Sequence, residues 1–228
     1  SRSGHPFSIA GAQCRAAICS VIMRDPARAA AFAEPGFATA RDLGFPVSRA
    51  IANVVLGWTD ALDGRAREGV ERIIEGMTLW RSTGAAVALP CFFGLLAEAH
   101  LVAGSTADAI AAAEEGMRCG AEKAEQAWEG LLGCVHGDAL VAADEPARAE
   151  ASYQRALEWS RARDAAWGEF NAGLRLARLW GAAGRAAAAR DLLTPLCARL
   201  PEAAESAVLS DARALLDALA PARDRPEL

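Results

Sequence analysis

Apolar residues along this chain recur with the spacing of amphipathic helices. Between residues 65 and 83, Val70, Ile73, Ile74 and Met77 follow an i, i+3, i+4, i+7 stripe, with Arg67, Glu71, Arg72 and Glu75 mostly on the other side. Ala149, Tyr153, Ala156 and Leu157 make a similar inward face further along. No segment sustains the polar–apolar alternation of a strand, so the expected fold is all-α.

Turn signals cut the pattern into helix pairs. Asp25-Pro26 and Glu145-Pro146 put proline at a helix start, where its missing N–H costs nothing. Asp63-Gly64 and Gly184 stop helices, and Gly104-Ser105-Thr106 ends one helix and offers a cap to the next. The spacing predicts A helices at 6–23, 46–62, 88–103, 124–143 and 166–183. It predicts B helices at 26–43, 65–83, 106–120, 146–163 and 186–199. Pro35 and Pro195 hold the same position of the first and fifth B helices, and each is expected to kink its helix or end it early. Beyond Pro201, a helix at 203–219 with inner residues Val208, Ala212, Leu215, Leu216 and Leu219 and outer residues Glu205, Asp211, Arg213 and Asp217 reads as a cap. The tail Pro221–Leu228 is expected to fray.

The pairs repeat every 40 residues. Ala17, Gly57, Ala97, Gly137 and Ala177 keep that beat in the A helices, and Ala29, Gly69, Ala109, Ala149 and Ala189 keep it in the B helices. Arg24, Gly64, Gly104, Asp144 and Gly184 mark the turns between them. Small residues are needed where helices cross closely, and glycine costs roughly 1 kcal/mol inside a helix, so the registered glycines carry most weight. The expectation is a right-handed α-solenoid of five helix pairs (6–43, 46–83, 88–120, 124–163 and 166–199) plus the cap, a single domain over 1–228.

This register resembles the tetratricopeptide pattern. Gly137, Leu140, Asp144, Ala149, Tyr153 and Ala156 fit its order of small, large, turn, small, aromatic and small residues. So do Phe93, Leu96, Ala97, His100, Gly104 and Ala109, with His100 where the family usually has Tyr. The period exceeds the usual ~34 residues, which resembles the longer repeats in C-terminal regions of large bacterial signal-transduction ATPases, including MalT-like regulators. Segments such as Gly4-His5-Pro6-Phe7-Ser8, Phe45-Pro46, Leu56-Gly57-Trp58, Leu95-Leu96-Ala97-Glu98-Ala99 and Leu176-Ala177-Arg178-Leu179-Trp180 look like the C-terminal repeats of proteins that join a nucleotide-cyclase-like domain to an AAA-type ATPase. The resemblance implies a sensor or scaffold segment. The chain itself carries no G-x-x-x-x-G-K-[ST] phosphate loop.

In such arrays the A helices line the concave face, and the residue after each small A-helix position projects into it. Here that row is Ile18, Trp58, Glu98, Asp138 and Arg178, a mixed-charge surface suited to a protein or peptide with a basic and apolar face. An ordinary solvated face is the alternative. The family's carboxylate clamp would need Lys and Asn where this chain has Ile51, Val54, Cys91, Gly94, Leu131 and Cys134; Asn171 alone fits. The expected partner is a protein or peptide, an ATPase or cyclase domain in cis, or a small inducer. A competing reading is a homo-oligomerisation module without a ligand. A third, an all-α enzyme using Glu98 and Asp138, ranks last, because no nucleophile or oxyanion donor is paired with them.

Composition narrows the choice. A net charge of −5 and a pI near 5.3 argue against nucleic-acid binding. No apolar run of about 20 residues suggests a membrane span. Six cysteines without a Cys-x-x-Cys pair suggest reduced thiols in the cytoplasm. No cofactor or metal is expected; His100 and His136 occupy repeat-core positions without ligand spacing. Trp128, Trp159, Trp167, Trp180 and Phe170 are expected to form inter-repeat core, or a partly exposed aromatic patch that anchors a partner. The acidic run from Glu114 and Glu115 through Glu122, Glu125 and Glu129 reads as a solvated connection. The chain lacks an initiator Met and a signal-peptide layout, so it reads as a segment of something longer.

Overall fold

The computed structural model describes residues 5–85, 87–199 and 207–220. Among these there are eleven α-helices and no strand. They are α1 (Pro6–Ile22), α2 (Pro26–Asp42), α3 (Pro46–Leu62), α4 (Ala66–Ser82), α5 (Leu89–Val102), α6 (Thr106–Glu122), α7 (Glu129–Ala142), α8 (Pro146–Arg161), α9 (Ala166–Ala182), α10 (Ala186–Ala198) and α11 (Ala207–Ala218).

One turn geometry recurs throughout. Arg24, Gly44, Gly64, Gly84, Gly104, Ala124, Asp144, Asp164 and Gly184 all take positive φ, from 50° to 89°. They lie 20 residues apart, so the beat is half the one read from the small residues. The next N–H reaches back to a carbonyl five residues earlier, as in Phe45 to Ala40 at 2.8 Å, Arg65 to Asp60 at 2.9 Å and Arg185 to Trp180 at 2.8 Å. This bond satisfies a carbonyl left open at the helix end and fixes the exit direction of the chain. At Gly84 the Ala85 N–H instead donates to Thr83 Oγ1 at 3.4 Å.

The chain divides into two compact units, Ser1–Trp128 and Glu129–Leu228. In the first, α1 packs on α2, α3 on α4 and α5 on α6; α2 and α4 also pack on the A helix that follows them. Its closest crossing is α3 on α4. A Cβ on Gly57 would lie 2.6 Å from the Gly69 carbonyl oxygen, and one on Gly69 would strike the Gly57 carbonyl in return. In the second unit, α7 packs on α8 and α9 on α10, α8 packs on α9, and α11 covers α10. Phe170, Leu174, Leu193, Leu196, Leu209 and Ala212 form the core there, with Trp167 and Trp180 partly buried against it. All ten small residues of the repeat register are buried.

Several expectations need correction. Ile74 is 46% exposed. The buried arc of α4 runs through Gly69, Ile73, Gly76, Met77 and Trp80, because the glycine crossing rotates the helix toward α3. Pro35 and Pro195 end neither helix: α2 runs on to Asp42 and α10 to Ala198. Both prolines are exposed, as are Ala31 and Asp191 four residues before them, so water can take the carbonyls they leave open. The fourth A helix starts late, with a 3-10 turn at Gln126–Trp128 before α7. There Glu125 Oε1 accepts from the Ala88 N–H (2.8 Å) and the Trp128 indole N–H (3.1 Å). Ser105 precedes α6 without a side-chain cap bond, whereas Asp25 accepts from the Arg28 N–H at 2.9 Å. Of the expected cap at 203–219, residues 203–206 lie outside the described residues, as do Pro201 and Pro221–Leu228.

Candidate functional site

The inner row is built from A-helix positions one residue past the small ones, and within each unit its polar groups are tied to the chain itself. In the first unit Trp58 is fully buried, and its indole N–H donates to Glu98 Oε2 at 2.9 Å. Arg24, held at the positive-φ turn after α1, forms a two-pronged pair with the same carboxylate, one prong at 2.7 Å and one to Oε1. Its guanidinium also sits 5.4 Å from the Trp58 ring centre. Trp58 is therefore not the open aromatic anchor expected from the row; it is a core ring that orients Glu98. Ile18 is half-buried.

In the second unit Asp138 accepts from the Tyr153 hydroxyl at 2.7 Å and from Arg175 Nε at 3.0 and 2.8 Å. Gly137 makes this possible, because its missing side chain leaves room for the Tyr153 ring against α7. Burial, with the Asp138 charge beside it, holds the Tyr153 hydroxyl far above its usual range, so it stays protonated. Arg178 donates to Asp211 of α11 at 3.0 Å. Asn171 donates to the Trp167 carbonyl at 2.9 Å, and its buried Oδ1 has no partner among the described residues. His136 Nδ1 lies 2.7 Å from Ser152 Oγ in the interior of the α7–α8 pair. Glu98 and Asp138 thus each work inside their own unit as the hub of a local polar cluster.

An open cleft lies at an edge of the first unit. A cleft of about 480 Å³ lies between the turn that joins α3 to α4 and the turn that joins α5 to α6. Arg67, Glu68 and Val70 line one side, and His100, Val102 and Asp108 the other. Burial lowers the pKa of His100 and outweighs the opposing charge of Asp108, so the cleft presents a neutral imidazole at pH 7. Beside it runs an apolar edge. Ile22, Leu62 and Val102 end successive A helices and are 43%, 36% and 46% exposed. The repeat register could have found this edge, since the three lie 40 residues apart. The cleft was hidden because Arg67 reads as an ordinary solvated charge. Among the described residues no group of three His, Cys, Asp or Glu side chains could hold a metal ion, and no helix is long and apolar enough to cross a membrane.

Paired helices stacked by register, with positive-φ turns between them, define a helical-repeat protein of tetratricopeptide-like fold. Two crystal structures of a putative kinesin light chain of Podosopora anserina with nearly identical TPR-like repeats match it. One, of a single-residue variant, aligns with a TM-score of 0.55 at 17% identity, covering 86% of this chain and 96% of that one. The other aligns with a TM-score of 0.53 at 17% identity, covering 85% and 95%. Those likenesses show the fold alone. The TPR2AB-domain:pHSP90 complex of yeast Sti1 aligns with a TM-score of 0.35 at 14% identity over 93% and 97% of the two chains, too distant to carry an argument. No protein-family model matches the sequence, and no curated protein matches it significantly.

Proposed function

We propose that this chain is a non-catalytic protein-interaction scaffold, and that its first unit holds an extended segment of a partner along the cleft and the adjoining apolar edge. The observation that carries the reading is the exposure of Ile22, Leu62 and Val102, three sizeable apolar side chains repeated by the fold along one edge. Glu68 and Asp108 outnumber Arg67 in the cleft, which favours a segment pairing an apolar with a basic side chain. Six free thiols, four of them buried, favour a reducing compartment such as the cytoplasm. The long repeat favours a place in a bacterial signalling regulator with an ATPase or cyclase domain in cis; a phosphate loop in the flanking gene sequence would support it.

Panning a random peptide library on the chain tests the first reading. Enriched peptides should combine an apolar and a basic residue. Their affinity should fall at least ~10-fold in a Leu62→Asp, Val102→Asp double variant, read by fluorescence anisotropy. Peptides that bind the double variant as well as the wild type would refute the assignment.

A further inference from the structure

Glu169 is a buried carboxylate held by two arginines. It lies in the first turn of α9, with its side chain 6% exposed. Arg161, in the last turn of α8, donates from Nε to its Oε1 at 2.8 Å. Arg199, just past the end of α10, donates from Nη1 to its Oε2 at 2.6 Å. α8 and α10 both pack on α9, so the ends of two B helices bring their arginines to the start of the A helix between them. All three residues belong to the second unit.

The charges here do not cancel. Glu98 pairs with Arg24, Asp138 with Arg175 and Glu150 with Arg185. Asp60 draws in both Arg65 and Arg72, but Asp63 also reaches Arg65. At Glu169 one negative charge faces two positive ones, and neither arginine has a second partner among the described residues. Glu158 and Asp164 stand three residues to either side of Arg161, but both are exposed and bond to neither arginine. Arg163 adds a further positive charge nearby, stacked 4.5 Å from the Trp159 ring centre.

A guanidinium carries five N–H donors in one plane. Glu169 takes one from each arginine, and both side chains stay half exposed, at 50% and 53%. The two bonding nitrogens reach the oxygens of a single carboxylate, so they lie within about 8 Å of each other, a gap that one tetrahedral oxyanion spans with charge-assisted bonds of ~2.8 Å. Anchoring both forks on a buried carboxylate also removes side-chain freedom that a ligand would otherwise have to freeze.

We infer that Arg161 and Arg199 form an oxyanion site, positioned by Glu169, that takes the phosphate group of a phosphate monoester. The phosphate sits on the water-facing side of the two guanidiniums, away from Glu169. It brings about −1.5 to −2 charges and three acceptor oxygens, enough to serve both forks at once, whereas a carboxylate brings one charge and two oxygens. A phosphorylated side chain of a protein and a small phosphate compound offer the same chemistry. The site lies in the second unit and the cleft edge in the first, so either assignment can fail alone.

Titrating the full chain with a glycine-flanked phosphoserine peptide, and separately with inorganic phosphate, tests this at low salt and neutral pH. The readout is the Nε–H signals of Arg161 and Arg199 in proton–nitrogen NMR spectra, and both should shift saturably. Arg161→Lys and Arg199→Lys should each weaken binding at least ~10-fold, because an ammonium keeps the charge and the pairing with Glu169 but loses the planar fork. Arg190→Lys, at another arginine of the unit without an ion-pair partner among the described residues, should leave binding unchanged. A melting curve for each variant checks that it is folded. Tighter binding of the peptide than of inorganic phosphate supports the site with a protein as the source; equal or weaker binding of the peptide supports it with a small phosphate compound. Absence of a saturable shift, an equal response to acetate, or equal weakening by Arg190→Lys would overturn the inference.

Discussion

Gly57→Ala is the sharpest test of the packing. The added methyl would sit 2.6 Å from the Gly69 oxygen, 2.8 Å from Ile73 Cγ1 and 2.9 Å from Ile73 N. Two of those atoms are backbone, so no rotamer change clears them, and α3 and α4 must part by several tenths of an ångström. Overpacking of this kind costs about 1–3 kcal/mol. Helix propensity works the other way, because alanine in place of a helical glycine is worth up to about 1 kcal/mol. With rigid atoms on the far side the steric cost belongs in the upper part of its range, and the net loss is about 1–2 kcal/mol. Gly11→Ala is the matched control. Its methyl meets only the mobile Arg15 guanidinium, at 3.4 Å, and should keep the propensity gain. The same chemical change should therefore move stability in opposite directions at two helical sites, separated by about 2–3 kcal/mol. Urea unfolding followed by circular dichroism at 222 nm measures this, and a gap of that size moves the midpoint by roughly 1 M. A Gly57→Ala midpoint at or above that of the wild type would refute the glycine-on-glycine crossing and the register built on it.

Three further outcomes follow from the turns, the buried polar cluster and the cleft. Gly64→Ala should cost about 1–2 kcal/mol by thermal melting, all of it backbone strain, because φ is +89° and a Cβ there would touch nothing; Ala124→Gly should gain up to about 1 kcal/mol at the matching turn. Glu98→Gln should cost about 1–3 kcal/mol by urea unfolding, because Arg24 would face a neutral amide; adding Arg24→Met should recover part of that loss, since the amide oxygen still accepts from the buried Trp58 N–H. Burial lowers the folded pKa of His100 from 6.5 against the pull of Asp108, so the unfolded chain binds that proton more readily. The stability this contributes is present above pH 6.5 and declines as pH falls below it, and His100→Gln should flatten the midpoint between pH 7.5 and 5; an unchanged slope would remove His100 from the account.

The helical pairs were legible because glycine and proline mark the chain so regularly. Gly64, Gly104 and Gly184 display the turn directly. The finer 20-residue beat was obscured where Ala124 and Asp164 adopt a conformation that their identities do not advertise. Periodicity misplaced Ile74, since it weighs hydrophobicity and is blind to which face a neighbouring helix can approach most closely. The inner row shows a different limit. Register brings Trp58 and Glu98 to the same position of successive A helices. It could not say that they bond to each other, nor that Arg24, 74 residues from Glu98 in sequence, would complete the cluster. Glu169 escaped for the same reason: Arg161 and Arg199, on either side of it in sequence, clamp its buried carboxylate at 2.8 and 2.6 Å.

Where specificity can reside follows from how the charges are spent. Glu98 and Asp138 already have good hydrogen-bonding partners, so a ligand for either must displace an arginine held in a fixed geometry, which costs affinity. The turns face no such competition. The turns that end the A helices share one backbone geometry every 40th residue, so side chains just before them occupy equivalent places and can vary without disturbing the helices. At the ends of the A helices those places hold Ile22, Leu62 and Val102 in the first unit; in the second the counterparts are Ala142 and Ala182, also exposed but offering a single methyl each. Isoleucine, leucine and valine supply several-fold more apolar surface than alanine, and buried area sets the hydrophobic gain on binding. A partner drawn to turn edges of this kind should therefore prefer Ser1–Trp128 to Glu129–Leu228. Exchanging Ile22, Leu62 and Val102 for alanine should erase that preference while leaving both polar clusters intact.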